Sequence, residues 1–417
     1  MGLNDVRTRS VSVVPQPNES HEVALYRYLL DPQFAGMTLQ LTEHEYMLGA
    51  LAGQEALVSL GVGQFTRDAY EALGLDAEVA VMAERGYINL GDRSLLGVNV
   101  MTYDRDGIAV DVDAKKGLTV LDGSGLEALL WDVRHYERSL AVFPENRPLI
   151  RAERGNRIER LTLHWSPYSS IFQPTLAVVG PGVRVAECKF QATGPAILVY
   201  PAGRANLSIS AEIVGNVIRR MDRYAIVAST FMCGNARTNL FLSGNRIQGD
   251  VAGGFGHLLI HNANADQGEI HVTSGRNRYL GPTTGIRVRG GHGFLTDATR
   301  NTVILDSIDD RFDGLQAGVL VWGGAGTHRA DDNRVVVRLI GSHFERIATT
   351  NVGAVGRQGG PGQNNHVRIL VCGATDRNGM PFVAFDGLSS CGVNNRVEVE
   401  GNPEAWQSNP EMWPHEP

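Results

Sequence analysis

The chain has 417 residues, 43% of them hydrophobic and 20% charged, with a formal net charge of −7. That composition excludes a disordered chain, and the acidic balance gives no basic footprint for nucleic acid or an anionic membrane. Glycine is abundant, at 49 residues, which points to a fold with many turns.

The opening MGLNDVRTRSVSVV has no continuous apolar run, and no segment reaches transmembrane length, so a soluble, cytoplasmic protein is the expectation. Residues 1–100 read as a helix-containing cap or small α-rich segment. TEHEYMLGALAGQEALVSL (42–60) opens on Thr42 and Glu45 at capping-box spacing and predicts a helix. TRDAYEALGL (66–75) and DAEVAVMAERG (76–86) predict two more. YDRDGIAVDVD (103–113) starts like a calcium loop, but its twelfth position is Lys115 rather than Glu, which excludes an EF-hand. The four cysteines, Cys188, Cys233, Cys372 and Cys391, form no CxxC pair and sit in apolar contexts. They predict core thiols, with a Cys372–Cys391 bridge as the alternative.

From residue 101 to 405 one phrase returns: RNTVILDS at 300, DNRVVVRL at 332, NNHVRILV at 364 and NNRVEVEG at 394. On a common register the coils begin at Asn206, Asn239, Glu269, Thr302, Arg334, His366 and Arg396, a period that marks a solenoid. Within each coil the second and fourth positions are apolar, as in Val303/Leu305 and Val335/Val337, while the residue between them varies. Such alternation describes a half-buried strand. A second strand follows in each coil, for example HLLIH (257–261), GIRVR (285–289) and GVLVW (318–322). Tyr279, Phe312 and Phe344 share one offset and predict a stacked aromatic column in the core. Asn301, Asn333, Asn365 and Asn395 precede the first strand and predict an amide ladder at a sharp corner.

The pattern resembles the right-handed parallel β-helix, or pectin-lyase-like, superfamily, clearly over 157–405. The resemblance implies an all-β solenoid, with residues 406–417 left as a tail. It implies carbohydrate chemistry only by analogy of fold. Polygalacturonase-like members carry Asn-Thr-Asp, Asp-Asp, Gly-His-Gly and Arg-Ile-Lys in that order. Here Gly291-His292-Gly293 and Asp309-Asp310 occur in the reverse order and the other two motifs are missing. The Trp-Ile-Asp-His motif of pectate-lyase-like members and the Asp-Pro-His-Asp motif of alginate-epimerase-like members are also missing, so no catalytic set transfers.

The last residues of the second strands give an outward column: Tyr200, Ser229, His261, Arg289, Trp322, Val355 and Phe385, with Arg287 two positions before Arg289. Rings and guanidinium groups repeated coil by coil suit an anionic or sugar ligand, against the plainer reading of a solvated face. Gly-rich loops beyond this strand carry His292 and His328, placed for proton transfer or incidental to it. The acidic turn DSIDDRFDG (306–314) brings Asp309 and Asp310 near Asp306 and Asp313, as acid and base or as a hydrated turn. The expected catalytic set is therefore His261, Arg289, His292, Asp309 and Asp310, with Tyr200, Arg287, Trp322 and His328 contacting substrate. No cofactor is expected, and a Ca2+ ion in the 306–313 turn is the weaker alternative to hydrated carboxylates. The expected function is a lyase, hydrolase or epimerase on a uronate-like saccharide. The alternatives are a small-molecule isomerase or cyclase using the same face, and a non-catalytic glycan-binding or tailspike-like module, which is compatible with a homo-oligomer.

Overall fold

The structure is a computed structural model that describes residues 9–48, 88–123, 148–165 and 174–401. Within the last stretch, 193, 203, 220–223, 250–255, 294, 316, 327, 346–348, 354–361, 381–384 and 387–392 fall outside the description. Over the described residues the chain winds as a parallel β-solenoid of three sheets with 12, 10 and 10 strands, here named sheets one, two and three. One coil shows the plan: Glu269–Gly275 lies in sheet one, Arg278–Leu280 in sheet two and Thr284–Gly293 in sheet three. The next coil repeats it in register, with Val272 beside Leu305, Tyr279 beside Phe312 and Val288 beside Val321.

Alternation dictates the faces. In Glu269–Gly275, Ile270, Val272 and Ser274 are buried and the residues between them are only partly so. Stacked coil on coil, these inward side chains merge into one continuous core. The aromatic column forms as expected. Tyr279 and Phe312 stack at 5.1 Å between ring centroids, and Phe312 and Phe344 at 4.6 Å.

The register of the earliest regular coils differs from the expected one by two residues. Ser208 and Arg237, rather than Asn206 and Asn239, stand in line with Glu269. Because side chains alternate with period two, this offset leaves the faces unchanged, and Ile209, Leu240 and Leu242 point inward as expected. Leu207 is only partly buried, packed at the rim of the core.

Two polar ladders hold the corners. At the entry to sheet one, the Asn301 and Asn333 amides each donate to the Oδ1 of the Asn one coil on, at 2.9 and 3.0 Å. The backbone N–H groups of Asn301, Asn333 and Asn365 donate to the same row of oxygens. The left-handed backbone sits one residue earlier than expected, at Arg300, Asp332, Asn364 and Asn394, so the ladder Asn commits its side chain to bonding rather than to relieving strain. A second ladder, not foreseen from the sequence, joins sheets one and two through Asn216, Asn245 and Asn277. It ends on Asp310, whose Oδ1 accepts from the Asn277 backbone at 2.8 Å.

The N-terminal region departs most from expectation. Residues 44–47 are not helical: His44–Met47 is the edge strand of sheet two, paired with Thr119–Asp122, and Tyr46 is buried beneath it. The capping-box spacing at Thr42 is a local preference that tertiary pairing overrides. Residues 49–60 of the expected 42–60 helix, and the expected helices at 66–75 and 76–86, lie outside the described residues. Among the described residues the α-helix is His21–Leu30, which follows Ser20, carries Glu22 in its first turn and Arg27 in its last, and buries Ala24, Leu25 and Leu29 in the common core. It covers the N-terminal end of the solenoid, where exposed apolar rungs would otherwise meet water. Solenoid strands already begin at Ser10–Ser12, well before residue 101.

Asp104 closes a hairpin turn by accepting from the Asp106 and Ile108 backbones, joining Met101–Tyr103 to Ala109–Val112. Cys188 and Cys233 are buried as expected, but Cys372 is exposed at the end of its strand. Among the described residues no helix is long and apolar enough to cross a membrane.

Replacing Asn333 with Ala removes the acceptor of the Asn301 backbone N–H and two donated bonds in a buried site. Urea unfolding is expected to show a loss of about 2–4 kcal/mol, since each stranded buried polar group costs about 1–3 kcal/mol. A loss below about 0.5 kcal/mol would show that the ladder does not carry the corner.

Candidate functional site

The outer face of sheet three gathers most of the chemistry. Leu258–Ala263, Thr284–Gly293 and Ala317–Gly326 are consecutive strands of that sheet. Ile260, Val288 and Val321 point into the core, so Leu259 and His261, Arg287 and Arg289, and Leu320 and Trp322 point out. Register places His261, Arg289 and Trp322 in one column, with about 4.8 Å between strands.

A bulge adds the fourth member. Arg289 pairs with His261, but His292 pairs with Ala263, so one strand holds an extra residue. That residue turns His292 back to the outer face, beside Arg289. Glycine is required there. A Cβ at Gly290 would lie 2.4 Å from the Gly323 carbonyl, and one at Gly291 would lie 2.5 Å from the Asn333 amide. The Gly-Gly-His sequence is thus the trace of a bulge packed against the amide ladder.

The four side chains are in contact. Arg289 Nη1 lies 3.3 Å from His292 Nδ1, its guanidinium carbon sits 5.0 Å from the centre of the Trp322 ring, and the His261 and His292 rings are 5.9 Å apart. Burial pushes the His292 imidazole down to about 3, and the Arg289 charge adds to this. His261 is held well below the ordinary histidine range by burial, then by His292 and Arg289. Both rings are therefore neutral at physiological pH. His261 Nδ1 is buried and has no hydrogen-bond partner among the described residues.

This face is not the solvated wall that outward positions predict. His261 is 3% exposed, Arg287 8% and Trp322 9%, while Arg289 and His292 remain partly accessible. Toward earlier coils the wall becomes apolar: Leu198, Tyr224, Val227 and Leu259 form a separate buried cluster with half-buried Tyr200 against it. Ser229 turns its hydroxyl to the Phe231 backbone N–H. His328 is exposed, and its backbone N–H donates to the Gly293 carbonyl at 2.8 Å, which ties its loop to the residue after His292. Phe385 falls in the row of Thr349 and Val319 rather than that of Trp322, and Val355 lies outside the described residues.

Asp309 and Asp310 stand apart from this cluster, at the corner between sheets one and two. Asp309 supplies left-handed backbone to the turn. Asp310 is fully buried as the last rung of the second ladder and accepts from Ser307 and Asn277. Asp306 faces outward from sheet one, paired with Arg338 and 3.4 Å from His271, and Asp313 pairs with Arg278 at 2.6 Å. The acidic turn is thus dispersed over three environments. Among the described residues no group of three potential metal ligands gathers, there or elsewhere. One supporting residue had no signal in the sequence. Asn264 donates its backbone N–H to the His292 carbonyl and accepts from Leu295 and Thr296, which fixes the loop beyond His292.

Comparison of the chain with protein-family models, with curated proteins and with solved structures gave no match.

Asp310 gives a pH-dependent prediction. Burial raises its carboxyl to about 6, above its ordinary value of 3.8. A raised folded pKa means stability present at low pH and lost as pH rises from about 4 to 6. At pH 7 the charged form costs on the order of 3 kcal/mol. Asp310→Asn is expected to raise Tm at pH 7.5 and to leave it nearly unchanged at pH 4, measured by calorimetry at both pH values. A variant less stable at pH 7.5 than the parent would refute this.

Proposed function

We propose that the protein is an enzyme of the lyase or isomerase type that moves a proton on a small anionic substrate held against the outer face of sheet three. The observation that carries this reading is a neutral imidazole, His261, with a buried and unpartnered Nδ1, one strand away from a guanidinium stacked on an indole. A neutral imidazole is the right species to take a proton at physiological pH. A carbon acid next to a carboxylate becomes an enolate when that proton leaves, and the new negative charge needs a fixed cation.

In this scheme His261 removes the proton and Arg289 faces the developing oxyanion. Trp322 holds the guanidinium plane by stacking. Arg287, one row along the same wall, binds the substrate's anionic group. His261, protonated by that step, then returns the same proton to a neighbouring carbon, or to the leaving group in a lyase, while neutral His292, beside Arg289, contacts the substrate. The near-complete burial of Arg287, His261 and Trp322 favours a small substrate over a polymer lying in an open groove. A second reading, a lyase or epimerase on a uronate-type saccharide, draws support from Trp322, an aromatic plane beside two arginines that suits a sugar carboxylate. The tailspike-like alternative would pair Arg287 and Arg289 with Asp306, but Asp306 lies on sheet one with Arg338.

Small carboxylic acids and mono- and oligouronates can be screened by thermal shift, and the hits incubated in D2O while exchange at the carbon next to the carboxylate is followed by NMR. Wild-type protein is expected to catalyse the exchange. His261→Gln should slow it by about 10²–10⁴-fold, the usual contribution of a general base. Oligomers outperforming every small acid would favour the saccharide reading, and exchange at the wild-type rate in His261→Gln would remove the proposed base. The exchange rate should also show no acid limb near pH 6.5, because His261 and His292 protonate only at lower pH. A midpoint near 6.5 that disappears in His261→Gln would contradict the neutral, buried imidazole.

A further inference from the structure

On another face of the solenoid, sheet two carries a column of cations. Arg246, Arg278 and Arg311 are Cα partners on three successive strands, all outward, with Ile247, Tyr279 and Phe312 filling the core beneath them. Like charges set directly side by side at about 4.8 Å repel, so each needs a counter-charge. Most have one. Arg278 pairs with Asp313, Arg311 with Asp106 at 3.0 Å, and Arg219 and Lys189 share Asp111 at 3.0 and 2.9 Å. Asp106 and Asp111 come from the hairpin, which packs Met101, Ala109 and Val112 on Val217, the residue one coil before Arg246. Asp104, the remaining acid of that hairpin, turns its Oδ1 to its own backbone.

Arg246 is left over. It is half-buried, its Nε is buried with no hydrogen-bond partner, and it has no ion pair among the described residues. Burial, then the Arg278 and Arg219 charges, push its guanidinium below the ordinary arginine range. The Asp104 and Asp313 carboxylates offset part of this, but neither forms an ion pair with Arg246 among the described residues.

We propose that the outer face of sheet two, beside the hairpin, is an oxyanion-binding site centred on Arg246 and flanked by Arg219 and Arg278, which takes the phosphate, sulfate or carboxylate group of a small ligand. A guanidinium fork binds such groups in a bidentate manner, and an added anion would relieve the repulsion within the column. The site is separate from the His261 wall and does not depend on the reading given to it.

The experiment is a thermal-shift titration of the full chain with inorganic phosphate, sulfate, citrate and acetate, each against sodium chloride of matched ionic strength. Saturable stabilisation by at least one of these is expected, with Tm rising by about 2 °C at tenfold excess over Kd. Phosphate and sulfate acting without citrate would identify a tetrahedral oxyanion, and citrate acting alone a carboxylate ligand. Arg246→Gln should abolish the response and, in low-salt buffer without added anion, should raise Tm above wild type because repulsion is removed. Arg246→Lys should keep part of the response. Arg237→Gln, which removes a surface pair with Glu269 on sheet one, should respond like wild type. No saturable response to any of the four anions would overturn the proposal. So would an unchanged response in Arg246→Gln, or a loss of stability in that variant at low salt, which would mark Arg246 as a packing residue.

Discussion

Apart from the edge strands and the hairpin, each strand of this molecule bonds its backbone to the strand one coil before and one coil after it, and the architecture follows from that constraint. The ladders are parallel and in register through sheet one, from Ser208 beside Arg237 to His366 beside Arg396. Residues about thirty apart in sequence become lateral neighbours, and the same row is visited once per coil. A side chain that suits its row is therefore selected against its own kind. Asn stacks on Asn, ring stacks on ring, and a branched aliphatic packs on another. The amide ladders add what the backbone ladder lacks at corners, where N–H groups turn away from their own sheet and would otherwise be buried without acceptors.

Charge is handled differently on the three outer faces. On sheet one, Arg184 and Glu212, Arg237 and Glu269, and Asp306 and Arg338 are cross-strand partners. Pairs this exposed contribute little to stability, but a shift of one residue would turn them to the wrong face, so they reinforce the register. On sheet two Asp313 pairs with Arg278 within the sheet, and Asp106 and Asp111 of the inserted hairpin pair with Arg311, Arg219 and Lys189, so those cations also dock the hairpin. On sheet three an indole and two imidazoles lie against Arg289. Charge and burial coincide on that face, which is the arrangement that depresses imidazole pKa values and leaves neutral rings beside a cation.

The period, the in-and-out alternation, the aromatic column and the first amide ladder were legible in the sequence because each recurs coil after coil. The juxtaposition of His261, Arg289 and Trp322 was legible for the same reason, since it needs only the register. What could not be read is whatever occurs once or depends on a neighbour distant in sequence. The second ladder hides because its rungs change identity, from Asn277 to Asp310, and the last of these looks like half of a catalytic acid pair. The burial of the sheet-three wall hides because alternation distinguishes inside from outside and says nothing of what lies over the outside. The strand at His44–Met47 hides because its partner, Thr119–Asp122, is remote, while the helical spacing at Thr42 and Glu45 is local.

The bulge at Gly290 and Gly291 connects these levels. The two glycines bring the backbone close to the Asn333 side chain, and Asn262 donates its amide to the Gly290 carbonyl at 3.0 Å. The same strand, two residues later, presents His292 to Arg289. The position of a ring in the candidate site is therefore set by how tightly the backbone packs on a structural amide one coil away. A methyl group at Gly291 would have to displace that amide or the Ala298 carbonyl, 2.7 Å from where its Cβ would stand. Because the amide is bonded in turn to the next rung, the displacement would pass along the ladder rather than be absorbed locally. A rigid corner of this kind is what a proton-transfer site needs, since reacting groups must be held in fixed geometry by elements that do not yield. In this molecule, then, the rigidity beneath the candidate site on sheet three arises at the edge of sheet one, in residues outside the proposed proton transfer.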